Sequence, residues 1–290
     1  MQIPSPIEKI ETHWSESASI DLWIKREDLI HPLLSGNKYR KLKYNLARAK
    51  LEGKDTILSF GGAYSNHIHA LAFACKEHKY KSIGIIRGEQ ENSNNPTLSD
   101  AKQFGMHLHF VNRTEYKNKN TLKYIESLKE IFGDFYLIPE GGTNEYALLG
   151  TSEVISEIAF RFDYLCCSVG TGGTIAGLIK SCPNESKILG FSALKGDFIV
   201  KEVHDLLCDK YSNWEINTQN HCGGYAKTNN ELWDFINEFK EETNIQLDPI
   251  YTGKMLLGLK KMSLEGLFPK NSKIIALHTG GLQGLRGFKK

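Results

Sequence analysis

SVGTGGTIAGLIK, residues 168–180, passes from an apolar strand pattern through a glycine-rich turn into an apolar helix pattern. In such a turn successive backbone N–H groups and the positive end of the following helix form a nest for an anion. Thr171 and Thr174 add hydroxyl donors to the frame of Gly170, Gly172 and Gly173. A nucleotide P-loop would continue into Gly-Lys-Ser/Thr, and a dinucleotide fingerprint would need glycine where Ile175 stands. The loop therefore reads as a seat for a monophosphate, with a tight strand-to-helix turn as the competing reading.

Three more glycine turns follow apolar runs in the same way: FGGAYSNH (60–67), PEGGTN (139–144) and HTGGLQG (278–284). Strand patterns stand at 22–26, 56–60, 81–87, 108–111, 135–139, 164–169, 187–192 and 273–278. Helical patterns such as 42–53, 65–78 and 145–162 alternate with them. That alternation predicts an α/β fold of parallel sheets with helices on both faces. In open parallel sheets the ligand crevice lies outside the carboxyl ends of the strands, where four such turns can converge on one small anion. The polar stretch 115–124 is too short for a linker, and composition marks no domain boundary.

Bulk properties narrow the field. The chain has 290 residues, 40% hydrophobic and 24% charged, which suits a globular protein with a sizeable core. Its 36 basic and 34 acidic residues leave a formal charge of +2, with no basic run, so a nucleic-acid partner is not expected. No secretory leader pattern opens the chain, and no apolar run reaches the ~20 residues of a membrane helix. The expectation is a cytoplasmic protein with no membrane partner. Cys75, Cys166, Cys167, Cys182, Cys208 and Cys222 form no C-x-x-C pair, so they read as reduced thiols and no metal is expected.

A monophosphate seat raises the question of pyridoxal 5'-phosphate (PLP), which also needs a lysine whose amine is neutral part of the time. In LSGNKYRKL, Ser35-Gly36-Asn37 reads as a turn and helix cap, placing Lys38 in the first helical turn. The helix dipole disfavours an ammonium there, and burial would lower its pKa further. That setting alone does not separate Lys38 from the other lysines.

The segments IKREDL (24–29), SGNKYRKL (35–42), SNH (65–67), GTGGT (170–174), LDPIYTGK (247–254) and LHTGG (277–281) together resemble the 1-aminocyclopropane-1-carboxylate (ACC) deaminase and D-cysteine desulfhydrase family. The resemblance implies a two-lobed tryptophan synthase β-like architecture (PLP fold type II), each lobe an open, mostly parallel twisted sheet flanked by helices. It implies a large lobe of 1–40 and 146–290, a small lobe of 41–145, a small amino-acid substrate and a homodimer.

Carried over by position, Lys38 resembles the Schiff-base lysine, Asn66 the partner of the PLP phenolic oxygen, and Gly170, Thr171, Gly172, Gly173 and Thr174 the phosphate cup. Thr279 resembles a hydroxyl near the pyridine nitrogen. Ser65 resembles the serine beside the substrate carboxylate or α-carbon, a role compatible with an ordinary helix N-cap. Tyr251 and Tyr225 resemble the family's phenols, with helix packing and loop filling as their plainer readings.

Two positions bear on the reaction. The ACC deaminase pattern has a glutamate after this tyrosine and a glutamine after Ser-Asn, where this chain has Thr252 and His67. Opening a cyclopropane needs a strong acid–base partner, whereas thiolate already leaves well. Thr252 and His67, taken as substrate-side residues, thus resemble the D-cysteine desulfhydrase pattern, with pyruvate, sulfide and ammonia as products. For His67 the plainer reading is a hydrogen-bonded core histidine. ACC deamination, and a PLP-binding carrier without turnover, stand as the alternatives.

Overall fold

The computed structural model describes residues 1–34, 36–88, 95–208 and 210–288. Its strands are β1 (Ile7–Lys9), β2 (Asp21–Lys25), β3 (Thr56–Gly62), β4 (Lys81–Arg87), β5 (His107–Val111), β6 (Tyr136–Ile138), β7 (Tyr164–Val169), β8 (Lys187–Ser192), β9 (Trp214–Asn217) and β10 (Lys273–Leu277). They form a six-stranded sheet ordered β1-β2-β10-β7-β8-β9 and a four-stranded sheet ordered β5-β4-β3-β6. Every pairing is parallel except β1 on β2, an antiparallel edge.

The chain divides into two compact units. One comprises Met1–Asn37 and Thr151–Leu282; the other comprises Lys38–Gly150 and Gln283–Lys290. The first division point falls between Asn37 and Lys38, and the last between Leu282 and Gln283.

The first unit is built on strands buried almost end to end: β7 (YLCCSV), β8 (KILGFS) and β10 (KIIAL) each expose little beyond their first residue. Continuous burial is the mark of a parallel strand covered on both faces. On one face Leu22, Ile24, Cys166, Leu189, Phe191, Ile274 and Ala276 pack with Phe235 and Phe239 of helix Asn230–Thr243 and Leu256 and Leu259 of helix Thr252–Leu264. Glycine at 190 in β8 is a packing requirement, since a Cβ there would lie 2.6 Å from Ile175 Cδ1. In the second unit Leu58, Phe60, Ile83, Ile85 and Val111 carry the sheet side of a core closed by Tyr116, Leu128 and Phe135.

All eight strand patterns read from the sequence are strands. β1 and β9 were not anticipated; both are short edges of three and four residues, IEK and WEIN, with too few apolar positions to show a period. The helix expected over 145–162 stops at Ser156. Beyond it Glu157 meets the Lys25 ammonium at 2.7 Å, and the Phe160 ring packs 4.7 Å from that of Trp23. Those contacts with β2 take the chain out of the helical path. Among the described residues no helix is long and apolar enough to cross a membrane, and no group of His, Cys, Asp and Glu is arranged to hold a metal. Cys75, Cys166 and Cys167 are buried and unbridged; burial pushes the Cys75 thiol up to about 12.

Candidate active site

In the first unit, β7 and β10 are parallel neighbours, so the turns that follow them emerge at the same carboxyl edge. After Val169 the chain passes Gly170 and Thr171, reaches Gly172 in the left-handed region (φ +76°), and starts helix Gly173–Ser181. The N-cap residue of that helix is Gly172, which has no side chain to cap its first N–H groups. A Cβ on Gly172 would sit 2.9 Å from Val203 Cγ2, and one on Gly170 3.2 Å from Tyr251 Cε1. The loop is therefore glycine by geometry and by packing.

The turn after β10 lies beside it. Thr279 is buried, with its Oγ1 3.5 Å from Ser168 Oγ. Its backbone is tightly covered: a Cβ on Gly36, itself at φ +61°, would meet the Thr279 carbonyl at 1.8 Å. His278, fully buried, accepts the Gly280 N–H on Nδ1 and donates from Nε2 to the Gln246 carbonyl at 2.7 Å. Asn37 is the first helical residue, not the cap, and its Nδ2 donates to Thr174 Oγ1 at 2.9 Å. Ser35 of the expected cap lies outside the described residues.

Tyr251 immediately precedes helix Thr252–Leu264, beside Gly170, and its ring stands edge-on to Tyr225 at 6.2 Å. The turn before that helix is organised by Asp248, whose carboxylate accepts the N–H groups of Ile250, Tyr251 and Thr252 at 2.8–2.9 Å. Thr252 is fully buried, and its hydroxyl donates to the same carboxylate at 2.7 Å. Lys254, also buried, donates to the Gly224 carbonyl at 2.7 Å and so ties down the loop that carries Tyr225. Burial lowers its pKa, against the opposing influence of Cys222 and Asp248.

In the second unit Lys38 is the second residue of helix Asn37–Leu51. Desolvation brings its amine down to about 8. Lys41, one turn on, donates to the Gly141 carbonyl at 3.0 Å and to Thr143 Oγ1 at 3.2 Å. Burial, with Lys38 beside it, holds Lys41 well below the ordinary lysine range. Ser65 caps helix Asn66–Glu77 by accepting the Ile68 N–H at 3.2 Å, a bond that leaves its own hydroxyl hydrogen uncommitted.

His67 is a core residue. It is 2% exposed, its Nε2 is 2.8 Å from Ser59 Oγ, and its ring lies against Gly142. Among the described residues Nδ1 has no hydrogen-bond partner, and burial together with Lys38 and Lys41 keeps the imidazole neutral. The His67 ring is thus buried against Ser59, and the Thr252 hydroxyl is committed to Asp248.

These residues fit PLP. A glycine turn that leads into a helix N-terminus suits a phosphate, and Lys38 has an amine that is neutral in part near pH 8. Asp248, Lys41 and Lys254 were not singled out from the sequence. Asp-Pro before a helix is a capping signal, and Lys41 shares a helical face with Lys38 at i+3, so two of the three had a local sign.

Comparison with known proteins agrees. The family profile described as pyridoxal-phosphate dependent enzyme matches residues 2–280. A putative ACC deaminase of Pyrococcus horikoshii is 30% identical over 93% of this chain and 87% of its own. The bifunctional D-cysteine desulfhydrase/ACC deaminase, mitochondrial, of Arabidopsis thaliana is 30% identical over 98% and 77% respectively. The crystal structure of an ACC deaminase homologue superposes with a TM-score of 0.82 at 28% identity, covering 97% of this chain and 90% of the other. The chain thus belongs to the pyridoxal-phosphate-dependent enzymes of fold type II, in the family of the ACC deaminases and D-cysteine desulfhydrases.

Proposed function

We propose that this enzyme is a D-cysteine desulfhydrase, eliminating sulfide from the β-carbon and yielding pyruvate and ammonia. PLP, when bound, supplies an aldehyde that takes up the substrate nitrogen and a ring that draws electron density from the α-carbon. Lys38 is assigned to hold it covalently and, once exchanged for substrate, to take the α-proton on its amine. The N–H groups of Gly170–Thr174 and the start of helix Gly173–Ser181 are assigned to the phosphate, and the Asn66 carboxamide to the phenolic oxygen. Thr279 is assigned to the ring nitrogen; a neutral hydroxyl leaves that nitrogen less protonated than a carboxylate would, which favours elimination over transamination. Ser65, with its uncommitted hydroxyl hydrogen at a helix N-terminus, is assigned to the substrate carboxylate. Tyr251, with Tyr225 beside it, is assigned the proton that meets the departing sulfur.

The observation that carries the reading is at residue 252. Where the ACC deaminase pattern has glutamate, this chain buries a threonine whose hydroxyl is held by Asp248. Position 252 therefore offers the substrate no acid or base, and a reaction whose leaving group departs unaided suits such a site. The same argument leaves Thr252 and His67 out of the proposed substrate contacts.

The test is mass spectrometry of keto acids formed from an equal mixture of D-cysteine, isotopically distinguished L-cysteine and ACC. Unlabelled pyruvate alone is expected. Formation of 2-oxobutyrate would instead assign ACC deamination, and labelled pyruvate would reverse the enantiomer. No keto acid from any of the three would overturn the proposal.

A further inference from the structure

The short 3-10 helix Leu282–Gly287 meets two longer helices through residues three apart. Gln283 Nε2 donates to Asn66 Oδ1 at 2.5 Å, and Gln283 Oε1 accepts from the Thr97 hydroxyl at 3.0 Å. One turn on, Arg286 pairs with the Asp100 carboxylate, which also meets His69 Nε2 at 3.0 Å. Asn66 and His69 are three apart on helix Asn66–Glu77, and Thr97 and Asp100 are three apart on helix Pro96–Gln103. Each helix thus presents a single face to the segment. Burial works against the Asp100 carboxylate, yet Arg286 and His69 hold its pKa below the usual range, so the second rung is ionic.

A carboxamide has two unlike ends: the oxygen accepts and the NH2 donates. Which end faces outward depends on what holds the other. At Asn66 the oxygen is taken by the Gln283 NH2, while the Gln283 carbonyl accepts from the Thr97 hydroxyl. The Asn66 NH2 is left as the end to be presented elsewhere. Toward an electron-rich oxygen that orientation gives a hydrogen bond, whereas the reverse sets lone pairs against each other.

We propose that Gln283 is a positioning residue, setting the Asn66 carboxamide so that Nδ2, and not Oδ1, faces the phenolic oxygen of the cofactor. The inference rests on the assignment of Asn66 made above. It extends the site to a C-terminal segment that touches neither substrate nor cofactor in this scheme, with the Arg286–Asp100–His69 rung fixing where Gln283 stands.

The test uses the holoenzyme and the variants Gln283→Glu, Gln283→Ala, Asn66→Ala and Asn66→Ala/Gln283→Glu. Two readouts need no turnover: the pH titration of the bound cofactor's visible absorption band, and its dissociation constant by dialysis. A carboxylate only accepts, so Gln283→Glu turns the Asn66 amide over. The band's midpoint is expected to move by about one unit and retention to weaken about tenfold. Gln283→Ala is expected to move both less. Because Gln283 acts through Asn66, the double variant is expected to match Asn66→Ala. If Gln283→Glu leaves the band and retention of the parent, or lowers only the melting temperature, while Asn66→Ala shifts both, the proposal is overturned and the assignment of Asn66 stands. If Asn66→Ala shifts neither, that assignment falls and the proposal with it.

Discussion

The Thr252 hydroxyl donates to the Asp248 carboxylate at 2.7 Å while accepting the Asp248 backbone N–H at 3.0 Å, so the two residues are locked in both directions across one turn. The lock sets the start of helix Thr252–Leu264 and the placement of Tyr251 between its two ends. Replacing Thr252 by valine keeps the volume and removes both bonds. Bonds to a buried carboxylate contribute about 1.5–3 kcal/mol, so urea unfolding is expected to show a loss of that size. Cofactor content per chain is expected to stay near the parent's; its loss at full stability would mean that residue 252 acts on the cofactor directly.

Burial brings the Lys38 amine to about 8, against 10.5 for a free lysine side chain. A lowered pKa means that the neutral, nucleophilic form dominates above about 8 and not only above 10.5. In the cofactor-free enzyme the rate of PLP uptake is expected to rise through a midpoint near pH 8 and to level off before pH 10. A rate still climbing at pH 10 would contradict this, and Lys38→Ala is expected to abolish the covalent absorption band.

Lys254 holds a loop whose backbone needs holding. Cys222, Gly223, Gly224 and Ala226 all have positive φ, from 49° to 112°, around Tyr225. Lys254→Met removes the side-chain donor to the Gly224 carbonyl and leaves it the Lys227 N–H at 3.1 Å, at a cost of about 1–3 kcal/mol. With Tyr225 no longer held beside Tyr251, turnover is expected to fall by about ten- to a hundredfold. Limited proteolysis should cut near 221–226 sooner than in the parent; equal cutting rates would show that the loop does not depend on this bond.

Gly36 admits no side chain. At φ +61°, a Cβ 1.8 Å from the Thr279 carbonyl requires either the loop or the β10 turn to move. Gly36→Ala is expected to lose more than about 2 kcal/mol in thermal or urea melts. Because the displacement reaches Thr279, PLP content per chain is expected to drop as well. An alanine variant with the parent's melt and full cofactor would refute the close approach.

Much of the frame was open to reading along the chain. Apolar runs such as YLCCSV and KIIAL, each with glycine within three residues of its end, announce buried parallel strands with turns at their carboxyl ends, because burial on both faces leaves no polar alternation. Ser65 reads as a helix cap for a local reason, its hydroxyl lying three residues from the N–H it accepts. The same local reading failed where distant residues decided. Glu157 and Phe160 leave the helical path for Lys25 and Trp23, and the edge strands β1 and β9 acquire their form from the neighbours they pair with.

By itself, then, the sequence determined the α/β alternation, the glycine turns and the residue types that suit PLP, since each follows from periodicity, backbone sterics or side-chain chemistry within a few residues. Only the tertiary structure decided what those side chains face. His67 turns to Ser59 in the core and the Thr252 hydroxyl to Asp248. Lys41 reaches a carbonyl 100 residues away, and Asn66 meets an amide 217 residues away. Such pairs arise because sheet order brings remote segments into register, and a hydrogen bond's direction depends on the atom at its other end, which no local pattern encodes.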